Sequence, residues 1–303
     1  MSNVLVTGGS GFLGSHIADA LSRANHEVTI LDIRPSPYLS KGQKMAVGSI
    51  TNINFVEDLF REGSFDFVYH LAALADINEA KMMPRATAEI NILGTLTLLE
   101  ACIKFNVKRF LFGSSVYVYS NQGGFYRCSK QACENYIEEF HRVYGLNFTI
   151  LRYGSLYGPR SNQSNGVYRL LKQAMDGHEI IYHGSQNDKR EYIHVLDAAH
   201  LSVLALDEKY QGKHLTITGN DRLTIHELFT MFGEILNKKI RVKYQELTGV
   251  ESGHYAITPY TFTPKLGIKV TSSEYVDMGQ GLLELIQELH NHTHHEPDGK
   301  STA

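Results

Sequence analysis

Up to residue 153, short runs of β-branched and other apolar residues alternate with longer amphipathic stretches. This alternation is typical of parallel strands joined by helices that cover both faces of a sheet. The apolar runs predict six strands, at residues 3–8, 27–32, 44–48, 65–73, 108–115 and 147–153. The amphipathic stretches predict helices near residues 12–24, 53–62, 84–105 and 125–144. With right-handed crossovers, these elements form an α/β fold with a doubly wound parallel sheet.

The pattern changes after residue 153. Residues 154–166 are rich in Gly, Pro, Ser and Asn, and short elements of mixed character continue to about residue 270. We therefore expect a nucleotide-binding sheet domain over residues 1–153 and a smaller substrate-binding region over residues 154–290, with segments that return to the sheet. Residues 291–303 are polar and lack periodicity, which predicts a disordered tail.

Composition narrows the class of protein. Hydrophobic residues make up 43% of the 303 residues and charged residues 20%, as in ordinary soluble globular proteins. A net charge of -3 gives no basic field for nucleic acid. The three cysteines fit reduced thiols better than a disulfide framework. The N-terminus lacks the features of a secretory signal, and no apolar run approaches the ~18 residues of a membrane span. We expect a soluble cytoplasmic protein.

A glycine-rich turn separates the first predicted strand from the first predicted helix. Its glycines are Gly8, Gly9, Gly11 and Gly14. They let the backbone turn tightly and approach a pyrophosphate, whose charge the helix N-terminus meets. Asp32 ends the second strand, where a carboxylate can accept the adenosine ribose hydroxyls and repel a 2′-phosphate, so NAD is favoured over NADP. Two alternatives stay open: a turn that serves only packing, and an Arg34 that contacts a 2′-phosphate if Asp32 points away.

A second group of polar residues follows the strand at 108–115. Ser114 and Ser115 end this strand, at the edge of the sheet where ligands bind in such folds. The next helix carries Tyr126 and Lys130 one turn apart, hence on one face. A Lys ammonium beside a phenol lowers the phenol's pKa from about 10, which would let Tyr126 act as a base near neutral pH. Taken alone, this spacing also arises by chance in helices.

Seven segments together resemble the extended short-chain dehydrogenases/reductases, specifically the NAD-dependent epimerase/dehydratase type that acts on nucleotide sugars. The segments are TGGSGFLGSH, VYHLAA, NILGT, FLFGSSVYVY, YRCSK, LRYGSLYGPR and REYIHVLDAA. The resemblance covers roughly residues 3–285. It implies that Tyr126 is the catalytic base and that Lys130 holds the nicotinamide ribose. It also implies that Ser115 hydrogen-bonds the reacting sugar oxygen and that Arg190 grips the substrate's pyrophosphate.

The same resemblance implies the residues that contact the ligands. The set for NAD is Gly8, Gly11, Phe12, Leu13, Gly14, Asp32, Ser49, Ile50, Leu71, Ala72, Ala73, Asn91, Ser114, Lys130 and Tyr153. The set for the nucleotide-diphosphate sugar is Ser115, Tyr126, Ser155 and Arg190. The helices near 84–105 and 125–144 would form the four-helix interface of a homodimer.

The chain also departs from the family pattern. Only ten residues separate Ser115 from Tyr126, about half the usual loop of sugar epimerases. Arg127 stands where a glycine is usual, Ser155 where an Asn is frequent, and Ser49 where an Asp is frequent. These departures favour an unusual substrate or a more open site.

The two residues after Ser115 help to choose the reaction. Family dehydratases place an Asp-Glu pair there and uronate decarboxylases a Glu, whereas this chain has Val116 and Tyr117. A 4,6-dehydratase is therefore disfavoured, and Asp32 disfavours the NADPH-preferring reductases. The sequence predicts a 4-epimerase with a transient 4-keto sugar. A dehydrogenase, a 4-keto reductase and a non-catalytic dinucleotide sensor remain as alternatives.

Several aromatic and histidine residues receive other interpretations. Tyr117 and Tyr119 are read as packing residues, although Tyr117 could line the sugar pocket. His70 is interpreted as a hydrogen-bonded strand-end histidine and His194 as a turn or cap residue. The tail histidines, His292, His294 and His295, are read as solvated, and no metal is expected. Residues 253–270 suggest a wall over the sugar, with His254, Tyr255 and Lys265 as candidate substrate contacts.

Overall fold

A computed structural model describes residues 1–220, 222–245, 254–262 and Leu283. The chain divides into two units, Met1–Thr263 and Pro264–Ala303. All described residues except Leu283 belong to the first unit. Lys265, the predicted final helix and the predicted tail lie outside the described residues.

The described chain contains twelve strands. They are β1 Asn3–Thr7, β2 Glu27–Asp32, β3 Lys44–Val47, β4 Phe67–His70, β5 Arg109–Ser115, β6 Phe148–Tyr153, β7 Ser155–Tyr157, β8 Ile180–His183, β9 Lys189–His194, β10 Lys213–Ile217, β11 Arg222–Thr224 and β12 Val242–Gln245. The six predicted strands are all present. The prediction at residues 65–73 was too long, because pairing of β4 with β1 and β5 ends at His70.

Helices connect these strands. They are α1 Phe12–Arg23, α2 Ile53–Gly63, α3 Ile77–Met82, α4 Pro84–Thr87, α5 Gly94–Lys104, α6 Gly124–Tyr144, α7 Gly166–Met175, α8 Val195–Leu204 and α9 Ile225–Leu236. A π-helical segment, Ala88–Leu93, joins α4 to α5. The helix predicted near 84–105 is therefore one helical run of three segments, two α-helical and one π-helical. By length and composition this run could span a bilayer, but half of its most apolar window is buried within the protein, as in a core helix.

The central sheet is parallel and has the strand order β10-β6-β5-β4-β1-β2-β3. Taken from the β3 edge, strands β1 to β6 follow the order 3-2-1-4-5-6 of doubly wound dinucleotide-binding folds. This confirms the predicted fold class. Strand β10, from the second part of the chain, extends the sheet beside β6 with Ile217 opposite Tyr153. Strands β5 and β6 are buried at every position because helices cover both faces of the sheet.

The remaining strands form two small sheets after the central one. Their orders are β11-β9-β7 and β12-β8. A separate apolar cluster supports them, with Ile180, Phe229 and Phe232 among its buried members. These small sheets place β9, which carries Arg190, beside β7 and hence close to the end of β6.

His70 shows how polar groups are accommodated in the core. Its Nδ1 lies 2.7 Å from Oγ1 of Thr7, and its Nε2 lies 2.9 Å from Oγ1 of Thr95. Both ring nitrogens are therefore satisfied, and burial lowers the pKa of the imidazole well below its usual value. The interpretation of His70 as a hydrogen-bonded strand-end residue is confirmed. His194 likewise caps α8, with Nδ1 accepting from the amide of Leu196 at 3.3 Å.

Candidate active site

One cavity of about 850 Å³ opens at the carboxyl end of the central sheet. Its lining includes five residues that the sequence placed in the site: Phe12, Ser115, Tyr126, Ser155 and Arg190. These residues come from α1, β5, α6, β7 and β9. The topology thus gathers side chains that are up to 178 positions apart in the sequence.

Tyr126 is held at the start of α6. The helix begins after Gly123, whose φ of 94° suits glycine, and a Cβ there would lie 2.8 Å from the ring of Tyr117. Burial raises the pKa of Tyr126 to about 12, while a hydrogen bond with Ser115 lowers it in part. The sequence predicted a pKa below 10. That prediction was wrong for the protein alone, because desolvation of the phenolate outweighs the favourable contacts.

Lys130 lies one turn beyond Tyr126, as predicted, but its ammonium has a different principal contact. Nζ donates to the carbonyl oxygen of Gly113 at 2.7 Å and lies 4.6 Å from the centre of the Phe112 ring. It lies 5.8 Å from the centre of the Tyr126 ring. Burial lowers the pKa of Lys130 to about 8, against the charges of Cys133 and Glu134, which raise it.

A buried ion pair lies behind these residues and was not predicted. Arg152 donates through Nε to Oε1 of Glu134 at 3.0 Å and through Nη2 to Oε2 at 2.5 Å. Its third nitrogen, Nη1, donates to the hydroxyl of Tyr119 at 2.6 Å. The side chain of Ser114, a residue predicted to contact NAD, donates to Glu134 at 2.5 Å. No local pattern signals this network, because it joins a helix to a strand that reads as apolar.

The glycine-rich turn has the geometry that a pyrophosphate requires. Gly8 has φ of 71°, and a Cβ there would lie 2.6 Å from the amide nitrogen of Ala72. A Cβ on Gly14 would lie 2.2 Å from the carbonyl oxygen of Gly8. The first turn of α1 has no side-chain cap, so its amide groups can serve an anion. The turn therefore fits the dinucleotide.

Asp32 lies at the end of β2 beside this turn. Its carboxylate accepts hydrogen bonds from the amides of Ser10 at 3.1 Å and Arg34 at 3.3 Å. These bonds hold the carboxylate toward the turn, where a ribose would lie, and the negative charge opposes a 2′-phosphate. The residues present therefore fit NAD.

Four of the other predicted NAD contacts lie in α1 or directly after β4, and two lie between β3 and α2. Leu13 is half-buried in α1, and Leu71, Ala72 and Ala73 directly follow β4. The hydroxyls of Ser49 and Thr51 are hydrogen-bonded at 2.7 Å. The side chain of Ile50 packs against Gly94, so closely that a Cβ on this glycine would clash with it.

Asn91 and Tyr153 have polar groups engaged inside the protein. Asn91 accepts from the amide of Leu74 at 2.7 Å and donates to Ser129 at 2.9 Å. The hydroxyl of Tyr153 lies 2.6 Å from Oγ of Ser202. Like Ser114, both side chains make internal bonds that fix the walls of the site.

Arg190 supplies a half-buried cation to the cavity. Its Nη2 makes only long contacts, at 3.4 Å to the hydroxyl of Tyr182 and 3.5 Å to the carbonyl of Tyr255. Its Nε is buried and has no hydrogen-bond partner among the described residues. A guanidinium stays charged at any ordinary pH and forks onto phosphate oxygens. Arg190 is therefore suited to bind an anionic group.

One residue of the segment 254–262 forms part of the cavity wall. His254 lines the cavity, and its Nδ1 lies 2.5 Å from the hydroxyl of Tyr117. The rings of Tyr117 and Tyr255 are 4.7 Å apart. Tyr117 thus lines the pocket, and Tyr119 packs in the buried network behind it. Sequence reasoning missed Arg169, which also lines the cavity, since nothing distinguishes it within an amphipathic helix.

Within the described ranges, no group of three or more His, Cys, Asp or Glu side chains is arranged to hold a metal ion. The tail histidines are not among the described residues.

The fold and the site define a class: a doubly wound dinucleotide-binding protein with a serine, tyrosine and lysine set of the short-chain dehydrogenase/reductase type. The sequence model of the NAD-dependent epimerase/dehydratase family matches residues 4–218. The chain belongs to this family, and its cofactor is NAD.

Individual relatives are moderately similar. The UDP-glucose 4-epimerase of Thermotoga maritima, solved with UDP-glucose, has a TM-score of 0.78 and 29% identity, covering 86% of this chain and 90% of its own. The UDP-glucose 4-epimerase of Thermus thermophilus, solved with NAD, has a TM-score of 0.77 and 27% identity, covering 88% and 94%. The UDP-N-acetyl-alpha-D-glucosaminuronate decarboxylase of Bacillus cytotoxicus is 29% identical over 250 residues, 74% of this chain and 77% of the relative.

Proposed function

We propose that the protein is an NAD-dependent nucleotide-sugar 4-epimerase that inverts C4 through a transient 4-keto sugar. The observation that carries the proposal is the shared cavity. The hydrogen-bonded hydroxyls of Ser115 and Tyr126 open into the same cavity as the half-buried Arg190. A hydroxyl pair suits a sugar alcohol, and a partly buried cation suits a diphosphate.

Binding energy comes mainly from the end of the cavity that holds Arg190. Its unpaired Nε and long Nη2 contacts leave donors for phosphate oxygens. Holding the diphosphate fixes the sugar against Ser115 and Tyr126, which converts binding into orientation of the reacting carbon. Ser155, whose Oγ lies 3.4 Å from the Tyr255 hydroxyl, stands beside this path.

Proton transfer is the task of Ser115 and Tyr126. NAD, when bound, supplies the hydride acceptor and a positive charge at its nicotinamide ring. Tyr126 accepts the proton of the C4 hydroxyl as the phenolate, the form whose pKa the hydrogen bond with Ser115 lowers and burial raises. Ser115 also donates to the oxygen that becomes the ketone. When hydride returns to the ketone, the C4 oxygen becomes an alkoxide, a stronger base than the phenolate, so the phenol of Tyr126 gives its proton back to it.

The residues after Ser115 support epimerisation over elimination. Val116 has no ionisable group, and burial raises the pKa of Tyr117 well above its usual range. Neither side chain can take or give a proton for removal of a distant hydroxyl. What remains for Ser115, Tyr126 and Lys130 is reversible oxidation at one carbon.

The test is incubation of the purified protein, with NAD, with UDP-, GDP-, CDP- and dTDP-sugars, and analysis of the products by NMR. We expect one nucleotide sugar to reach an equilibrium mixture of two C4 epimers without net NADH. Stoichiometric NADH would instead assign a dehydrogenase, and consumption of NADH with a 4-keto sugar a reductase. Binding of NAD without turnover of any sugar would favour the non-catalytic sensor.

A further inference from the structure

Tyr117 and His254 form a hydrogen-bonded pair in the wall of the cavity. The hydroxyl of Tyr117 lies 2.5 Å from Nδ1 of His254. The two residues are 137 positions apart in the sequence, and both line the cavity. The mechanism proposed above uses neither of them.

The pair lies between the two ends of the expected substrate. On one side, the amide of Tyr117 donates to Oγ of Ser115 at 3.3 Å. On the other, the Tyr117 ring packs on Tyr255, whose ring lies 5.3 Å from the guanidinium of Arg190. A nucleotide sugar whose diphosphate is on Arg190 and whose C4 is at Ser115 must therefore place its sugar ring beside this pair.

The surroundings of the pair favour its uncharged form. Desolvation in the cavity lowers the pKa of His254 to about 4, although the residue as a whole is exposed; Arg190 and Arg169 lower it further by repelling its cation, and Asp76 raises it. Burial also raises the pKa of Tyr117 well above its usual range. Arg169 donates through Nη1 to the carbonyls of Gln163 and Ser164, so it is partly occupied. A neutral pair of this kind can satisfy sugar hydroxyls but offers no charge to a carboxylate. Of the two nearby cations, Arg190 faces the diphosphate and Arg169 is partly occupied by the two carbonyls, so a carboxylate beside the pair would lose hydration without a dedicated partner.

Cation–aromatic contacts hold the segment that carries His254. The guanidinium of Arg222 lies 5.9 Å from the Tyr260 ring, and that of Arg152 lies 5.5 Å from the Phe262 ring. The backbone adds a bond from the amide of Lys189 to the carbonyl of Ala256 at 2.7 Å. These contacts hold residues 256, 260 and 262, which follow shortly after His254 in the chain.

We propose that Tyr117 and His254 determine substrate class by selecting a nucleotide sugar with an uncharged hexose ring over one with a C6 carboxylate. This inference rests on the proposed function. The wall contributed by His254 also stands beside the short loop of ten residues before Tyr126, where a longer loop is usual in sugar epimerases.

The test is calorimetric binding of UDP-glucose and UDP-glucuronate to the NAD-loaded Tyr126→Phe protein, in which turnover is blocked. We expect UDP-glucose to bind at least 10-fold more tightly. Tyr117→Phe in this background should reduce the ratio to about 3-fold or less, and His254→Arg should reverse it, because arginine brings a fixed cation. Tyr157→Phe and His200→Arg, on surfaces outside the cavity, are the matched controls and should leave the ratio unchanged.

Equal binding of the two probes, tighter binding of UDP-glucuronate, or binding of neither contradicts the inference. So does an unchanged ratio in both pair variants. If Tyr117→Phe no longer binds NAD, the result with His254→Arg decides. The proposed function is tested separately. If the protein with intact Tyr126 binds UDP-glucose selectively but does not epimerise it, the selectivity is supported and the proposed reaction is overturned.

Discussion

Tyr126 is the residue on which the proposed chemistry depends. Replacing it with phenylalanine removes the proton acceptor and keeps the ring that packs at the start of α6. We expect Tyr126→Phe to lower kcat by ~10²–10⁴ while the Kd for NAD stays the same. The measurement is turnover of the accepted sugar by NMR, with NAD binding by calorimetry. Tyr157→Phe is the control, and equal turnover in Tyr126→Phe and the control would remove Tyr126 from the mechanism.

Burial of the Lys130 ammonium lowers the stability of the folded protein at neutral pH. Its pKa in the folded protein is about 8, below the usual 10.5, so the unfolded chain binds a proton between these values that the folded protein does not. The free energy of unfolding contributed by Lys130 therefore rises with pH across this window. A Lys130→Met protein lacks this contribution, and we expect the stability of Met relative to Lys to fall by about 2–3 kcal/mol from pH 7 to pH 10.5.

Urea unfolding of both proteins without NAD, at pH 7 and pH 10.5, measures this difference. Tyrosines that ionise at the higher pH are common to both proteins and cancel. A difference that does not change with pH would show that the lysine is not desolvated as described.

At the scale of elements, α6 carries Tyr126, Lys130 and Glu134 at successive turns, and the pair of Glu134 with Arg152 ties this helix to β6. Glu134→Gln leaves the buried guanidinium of Arg152 without its counter-charge. We expect a loss of about 3–5 kcal/mol in the free energy of unfolding. Urea unfolding gives the value, and Glu139→Gln, exposed on the same helix, should leave the midpoint nearly unchanged.

The double variant Glu134→Leu with Arg152→Met tests whether the two residues stabilise the protein as a pair. Removing both charges together removes the unpaired buried ion, so much of the stability should return. A double variant as unstable as the sum of the single variants would mean that the two residues act independently.

The elements of the central sheet were predictable because each follows from local rules. Alternation of apolar runs marks β1 to β6, and the glycines with Asp32 mark the nucleotide turn. Contacts between these elements and distant parts of the chain could not be predicted from local rules. The bond of Tyr117 to His254 and the ion pair of Glu134 with Arg152 depend on residues that meet only in the folded chain. The sequence predicted that later segments return to the sheet but did not identify β10 as the strand that does so. The pKa of Tyr126 was mispredicted for the same reason, since burial is a property of the tertiary structure.

At the scale of the whole molecule, an apolar face remains exposed on neighbouring helices. Leu93 is 54% exposed in the π-helical segment, and Tyr136 and Val143 are 45% and 52% exposed on α6. We expect this face to join two copies, so light scattering should give twice the chain mass of 34.1 kDa.

Tyr136→Glu combined with Val143→Glu should give a monomer that still binds NAD, because the cofactor turn lies on other elements. Ile235→Glu, at an exposed position of α9, is the control and should keep the wild-type mass. A wild-type monomer at micromolar concentration would exclude this interface.

Because β10 lies far beyond β6 in the sequence, the order of synthesis affects how the sheet is completed. β6 is synthesised well before its neighbour β10, which ends at Ile217. At a translation rate of roughly 5–20 residues per second, the nascent chain carries an apolar strand with one unpaired edge for about 3–13 seconds. Substitutions that delay the docking of β10 should therefore reduce the yield of native protein through aggregation at the ribosome, while molecules that complete the sheet keep full activity.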